Sequence, residues 1–167
     1  LDTLTLHFVP MVNPDGGEQF TRTNALDIDI NRDARTLISP ESKALYEYFD
    51  KTKPAFCFNL HDQHDYFGVQ NGPEPSTISF MAPASDESCS VNENRRKAMQ
   101  IIVGLSALLK KFIPGKISLY EDSYEPRAFG DVFQNMGAST VLIESGGYPN
   151  DKERTFCRKL NYLLLLA

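Results

Sequence analysis

Ala55-Phe56-Cys57-Phe58-Asn59-Leu60-His61 is the stretch whose reading decides the fold. It is a mostly apolar run of strand length that follows Pro54 and stops on a histidine. A run of this kind suits a strand buried on both faces. A second stretch behaves alike: Thr140-Val141-Leu142-Ile143 is apolar and β-branched, ends on Glu144, and is followed by Gly146-Gly147. In α/β sheets, ligands gather at the carboxyl ends of strands. His61 and Glu144 are therefore the first candidates for chemistry. His61 taken alone reads equally well as a structural histidine. A carboxylate directly after Val141-Leu142-Ile143 is harder to explain as filler, because an unpaired charge at the edge of a core is costly.

Outward from these runs, strand and helix patterns alternate. Residues 3–9 (TLTLHFV) alternate with Leu4, Leu6 and Phe8 on one face and predict a strand closed by Pro10. Asn13-Pro14-Asp15-Gly16-Gly17 predicts a turn, and residues 26–30 form another short alternating segment. Ser39-Pro40-Glu41 starts a helix, with Ala44, Leu45, Tyr48 and Phe49 at helical spacing. Residues 62–75 read as loop and Thr77 to Met81 as a strand. Ser90-x-x-Glu93 has the form of a capping box. It precedes a stripe of Ala98, Ile101, Ile102, Leu105, Leu108, Leu109 and Phe112 that ends at Pro114-Gly115. Ile117 to Tyr120 predicts a short strand, Val132-Phe133 a brief helix closed by Gly137, and Asn150 the cap of a last helix with Phe156, Leu160, Leu163 and Leu164 inward. The alternation predicts one α/β domain.

Composition narrows the function classes. Hydrophobic residues at 41% and charged residues at 23% over 167 positions suit one globular domain. A net charge of −5, with no basic stripe, argues against a nucleic-acid partner. No apolar run reaches the roughly 18 residues of a membrane span, and Leu163 to Leu166 is too short. Cys57, Cys89 and Cys157 are widely spaced, which favours free thiols and a cytoplasmic over a secreted setting. The sequence opens inside a strand pattern without Met, so a longer protein is expected.

Asn31-Arg32 follows the second alternating segment, and the Arg fork suits a carboxylate. Together with Pro10, Asn13-Pro14-Asp15-Gly16, Arg22-Thr23-Asn24, Asp29-Ile30-Asn31-Arg32-Asp33, Leu60-His61 and Ile143-Glu144, the chain resembles the zinc carboxypeptidases of the carboxypeptidase A type. The resemblance implies a mixed central sheet flanked by helices, with residues 1–167 forming the C-terminal portion of a catalytic domain whose N-terminal part is missing. It implies that His61 is a zinc ligand and that Glu144 activates water. It further implies that Asn31 and Arg32 bind the substrate's terminal carboxylate and that Arg22 stabilises the oxyanion. Tyr124, or else Tyr120, matches the tyrosine that closes over the terminal residue, and Gly130 lies in the stretch lining the side-chain pocket. His64 competes with His61 as ligand.

The family's first two Zn2+ ligands come from a His-x-x-Glu motif, which neither His7, His61 nor His64 begins. That motif is expected upstream of residue 1. The substrate implied is a peptide with a free C-terminal carboxylate. The alternatives are a zinc amidohydrolase of the aspartoacylase or succinylglutamate desuccinylase type, and a metal-free peptide-binding homologue.

Overall fold

A computed structural model describes residues 4–63, 67–69, 72–120 and 123–167. The chain divides into two compact units, Leu1–Lys53 with Arg127–Phe129, and Pro54–Pro126 with Gly130–Ala167.

The second unit contains the sheet. Its strands are β1 (Phe56–Asp62), β2 (Ile78–Met81), β3 (Ile117–Leu119) and β4 (Ser139–Ser145), in spatial order β1-β4-β2-β3. The β1–β4 and β2–β3 pairs are parallel and the β2–β4 pair is antiparallel, so the sheet is mixed. The helices are α3 (Glu93–Leu109), α5 (Thr155–Leu166) and, from Gly130 on, α4 (Phe129–Asn135). Ile78 and Phe80 of β2 and Val141 and Ile143 of β4 lie on one face of the sheet. They form a continuous core with Ala98, Ile102, Leu105 and Leu109 of α3 and Cys157, Leu160 and Leu164 of α5. Those four strand side chains have no exposed surface, and each contributes about 1.5–3 kcal/mol by leaving water. Among the described residues no helix is long and apolar enough to cross a membrane.

The predicted α/β architecture and mixed sheet are present, but β1 differs from its expectation. Among the described residues it is an edge strand, covered on one face only. Phe56, Phe58 and Leu60 remain 48%, 40% and 51% exposed, whereas Cys57, Asn59 and His61 on the other face are half-buried. An apolar run shows that a strand can be buried; its place in the sheet decides whether it is, and β4, in the interior, is buried from Ser139 to Glu144.

Two helix starts are also corrected. Asn92 caps α3 by accepting from Arg95 N at 2.9 Å, while the Ser90 hydroxyl donates to Asp86. Glu93 turns to Arg96 and Lys97 and does not close a capping box. The last helix begins at Thr155, and Asn150 sits in a left-handed conformation ahead of it. Asp151 serves that helix instead, accepting from Phe156 N and Cys157 N at 2.9 and 3.0 Å.

The first unit contains α1 (Pro14–Gln19), a 3-10 turn at Ile30–Arg32 and α2 (Pro40–Thr52). Ser39 caps α2 as expected, accepting from Ser42 N. The predicted turn at Asn13–Gly17 is the start of α1, because Asn13 accepts from Gly16 N and Pro14 presets the first helical φ. The predicted strand at 3–9 is absent from described residues 4–9, which are exposed and hydrogen-bonded in no ladder. Alternation creates a strand only where a neighbour accepts its backbone hydrogen bonds. Residues 26–30 fold up for a different reason. Asn24 Oδ1 accepts from Leu26 N and Ile28 N at 3.0 Å, a local bonding pattern that competes with extended structure.

Candidate functional site

The register of β1 against β4 places His61 opposite Glu144. Opposed residues of paired strands point to the same face, and these two meet with Nδ1 and Oε1 3.7 Å apart. That distance is in ion-pair range and too long for a hydrogen bond. Glu144 is buried to within 7% of its surface and His61 is more open. Ser79 of β2 lies across from Glu144 on its other side. The sheet thus sets an imidazole and a carboxylate side by side at the carboxyl ends of two parallel strands, facing away from the α3/α5 core.

The segments beyond the strands hold this arrangement tightly. The ladder continues past the pair, with Gln63 N donating to Ser145 O at 3.0 Å. Gln63 is buried and donates from Nε2 to Ser76 O at 2.8 Å. A Cβ on Gly146 would lie 2.1 Å from Ser76 O and 2.4 Å from Gln63 Nε2. The glycine after Ser145 is required by this close approach of two backbones.

Gly130 belongs to the same unit. A Cβ there would lie 3.2 Å from Pro83 Cγ and 3.5 Å from Asn59 Nδ2, so the space a glycine leaves is largely taken by Pro83. Asp131 beside it is buried and accepts from Glu125 N at 3.0 Å. Tyr124 sits half-buried in the segment between β3 and α4. Tyr120 is more firmly held, with its N–H on Phe80 O and its ring 4.7 Å from that of Phe67. His64 lies outside the described residues. Burial pushes the Cys57 thiol, four residues before His61 on β1, up to about 11, so near neutral pH it is a neutral thiol.

In the other unit, Arg22 and Asn31 both converge on Asp29. Arg22 Nε donates to Asp29 Oδ2 at 2.6 Å, and Asn31 N donates to Asp29 Oδ1 at 3.0 Å. Asn31 Oδ1 accepts from Phe129 N at 3.0 Å, and Arg32 Nη1 donates to Asn31 O at 2.9 Å. Asp33 follows and is only 2% exposed. Burial acts to raise its carboxyl. Hydrogen bonds from Ile38 N, Thr36 and Ser39 N outweigh it and hold the group at about 2. The turn bearing Asn31 and Arg32 is therefore fixed from both sides, by Asp29 before it and Asp33 after it. Sequence reasoning quoted these two aspartates within a motif and gave them no role.

The donor set bears on a metal. Among the described residues no group of three or more His, Cys, Asp or Glu side chains stands close enough to hold a metal ion. A catalytic zinc takes three protein ligands. His61 fits one share of such a site, and the described residues do not make up the whole.

No protein-family model matches the sequence, and no curated protein matches it. Solved structures do share its fold. A chain described as "Putative carboxypeptidase A" from Shewanella denitrificans superposes with a TM-score of 0.64 at 16% identity, covering 94% of this chain and 44% of that one. The murein-tripeptide amidase MpaA from Escherichia coli gives a TM-score of 0.54 at 15% identity, covering 92% of this chain and 65% of that one. This chain thus has a carboxypeptidase-like fold and spans less than two thirds of either of these structures.

Proposed function

We propose that this chain carries the catalytic carboxylate, one metal ligand and the substrate-binding arginine side chains of a zinc-dependent carboxypeptidase that hydrolyses the C-terminal residue of a peptide. The observation that supports it most is the juxtaposition of His61 and Glu144, 3.7 Å apart at the ends of adjacent parallel strands. The fold shared with hydrolase structures is consistent with it.

On this reading His61 is one zinc ligand, and two more come from a His-x-x-Glu pair outside the present sequence. Zinc, when bound, polarises a carbonyl and brings the pKa of a water near neutrality. Glu144 takes the proton released as water attacks the scissile carbonyl, then gives it to the departing amine. Arg22 contacts Asp29 through Nε, so its Nη groups are the ones that stabilise a developing oxyanion. Asn31 and Arg32 bind the terminal carboxylate, with Arg32 offering a planar fork to two oxygens. This contact makes the enzyme cut only at chain ends. Tyr124 closes over the terminal residue, and Gly130 leaves the side-chain pocket without a charge.

The test is made on the full-length protein loaded with zinc. Peptides with a free C-terminal carboxylate are cleaved and their C-terminal amides are not. Glu144→Gln keeps its zinc and loses turnover by about 10²–10⁴-fold, the range for a general base. A Glu144→Gln protein with full activity would remove Glu144 from this role. A second reading is favoured by the likeness to the murein-tripeptide amidase: a zinc amidohydrolase acting on short acyl-amino acid or cell-wall peptide amides. Turnover of those substrates alone would select it.

A further inference from the structure

Arg154 is the residue to which the ends of both site-bearing strands are tied. It lies ten residues after Glu144, ahead of α5, in a left-handed backbone conformation. Its Nη1 donates to Asp62 Oδ1 at 2.5 Å, to Ser145 O at 2.9 Å and to Gly146 O at 3.1 Å. Asp62 directly follows His61, and Ser145 directly follows Glu144. One guanidinium nitrogen thus bridges the residue after the imidazole and the two residues after the carboxylate.

We infer that Arg154 is a positioning residue for the His61–Glu144 pair, clamping the carboxyl ends of β1 and β4 together so that the two side chains keep their spacing. The need for such a clamp follows from the sheet. β1 is an edge strand with a strand neighbour on one side only among the described residues. Its last residues are held laterally by the β4 ladder, which runs on to the Gln63 N–Ser145 O bond, and just beyond by Gln63, which donates from Nε2 to Ser76 O. A strand end frays first, because its terminal hydrogen bonds have no bonded neighbour beyond them. The site is located at that end. Asp62 is largely exposed and its ion pair with Arg154 would by itself contribute little. The two carbonyls convert a surface ion pair into a three-point bridge. These three contacts reach the pair through the backbone of the residues that follow it, so their effect is on geometry. Misplacing reacting groups by about 1 Å can cost on the order of 10²-fold in rate.

The role at a catalytic site rests on the function proposed above; the clamp itself does not, and the experiment separates them. Arg154→Ala, Arg154→Lys and Arg158→Ala are prepared in the full-length protein. Amide hydrogen exchange is read along β1 and β4, and kcat and KM are read on a peptide with a free C-terminal carboxylate. Arg154→Ala is expected to raise exchange selectively at Gln63, whose N–H bonds to Ser145 O, with Cys57 and Phe58 unchanged. It is also expected to lower kcat by roughly tenfold to a hundredfold at nearly constant KM. Arg154→Lys restores most of both, because one nitrogen makes the contacts to Asp62, Ser145 and Gly146 and an ammonium carries three donors. Arg158 lies in α5, four residues on, and donates to Glu153 O and Thr155 Oγ1, so Arg158→Ala changes neither readout. Unchanged exchange at Gln63, exchange raised uniformly along both strands, or an equal effect from Arg158→Ala overturns the clamp. Raised exchange at Gln63 with unchanged kcat overturns its positioning role. A wild-type protein without peptidase or amidase activity overturns the proposed function, and the exchange measurement then decides the clamp alone.

Discussion

Replacing Asp33 by Asn tests how the turn bearing Asn31 and Arg32 is held. The carboxylate accepts from Thr36 Oγ1 at 2.5 Å and Ile38 N at 2.9 Å on one oxygen, and from Ser39 N at 2.8 Å on the other. Burial raises its carboxyl and these bonds lower it further, to about 2 against an ordinary 3.8. That depression corresponds to about 2.5 kcal/mol of folding stability at neutral pH. Because the folded-state value is the lower one, this stability is fully present above about pH 4 and is lost as pH falls toward 2. An amide keeps the shape but turns a donor toward donors, and it does not titrate. Asp33→Asn should therefore cost about 2–3 kcal/mol at pH 7, with the penalty shrinking as pH nears 2. Native-state hydrogen exchange of the α2 amides, corrected for intrinsic rates at each pH, measures both. A penalty below about 0.5 kcal/mol at pH 7, or one of the same size at pH 7 and 2.5, would refute the account.

Other outcomes follow from the same geometry. Gly146→Ala puts a Cβ within 2.1 Å of Ser76 O; it should destabilise the sheet unit by about 3 kcal/mol in urea unfolding, and a change under about 0.5 kcal/mol would mean the backbone yields. Arg32→Ala in the full-length protein should raise KM for carboxylate-terminated peptides more than tenfold, roughly the 1.5–3 kcal/mol of a charged hydrogen bond. Equal kinetics on those peptides and on their C-terminal amides would contradict the assigned grip. Zinc titrated into the 167-residue chain should bind weakly, since His61 is one donor where about three are needed. Stoichiometric binding at about micromolar zinc that survives His61→Ala would place the metal elsewhere.

Much of the architecture was legible because period and length are local properties. Helix α3 was plain in the stripe from Ala98 to Leu109, and α2 in Ser39-Pro40, where cap and first-turn residue are adjacent. The pairing of His61 with Glu144 was half legible: each run announced a strand end, but register is set across 83 residues and no periodicity encodes it. The failures share a cause. Ser90 and Asn150 had the right chemistry for caps, yet Asn92 and Asp151 sat closer to where tertiary packing starts the helix. Residues 4–9 had a strand's pattern without a strand's neighbour. Arg154 gave no signal, since the acceptors at Asp62, Ser145 and Gly146 come from two different strand ends.

The one-sided covering of β1 has a consequence for handling the protein. Phe56, Phe58 and Leu60 stand in a row at 40–51% exposure along a strand whose outer edge meets no other strand among the described residues. No charged or proline gatekeeper interrupts positions 56–60. Such an edge templates further strands, so the 167 residues expressed alone should precipitate or form mixed oligomers as concentration rises. A Phe58→Lys change, which sets a charge in the middle of the row, should keep the preparation monodisperse in light scattering while leaving His61 and Glu144, on the opposite face, in place.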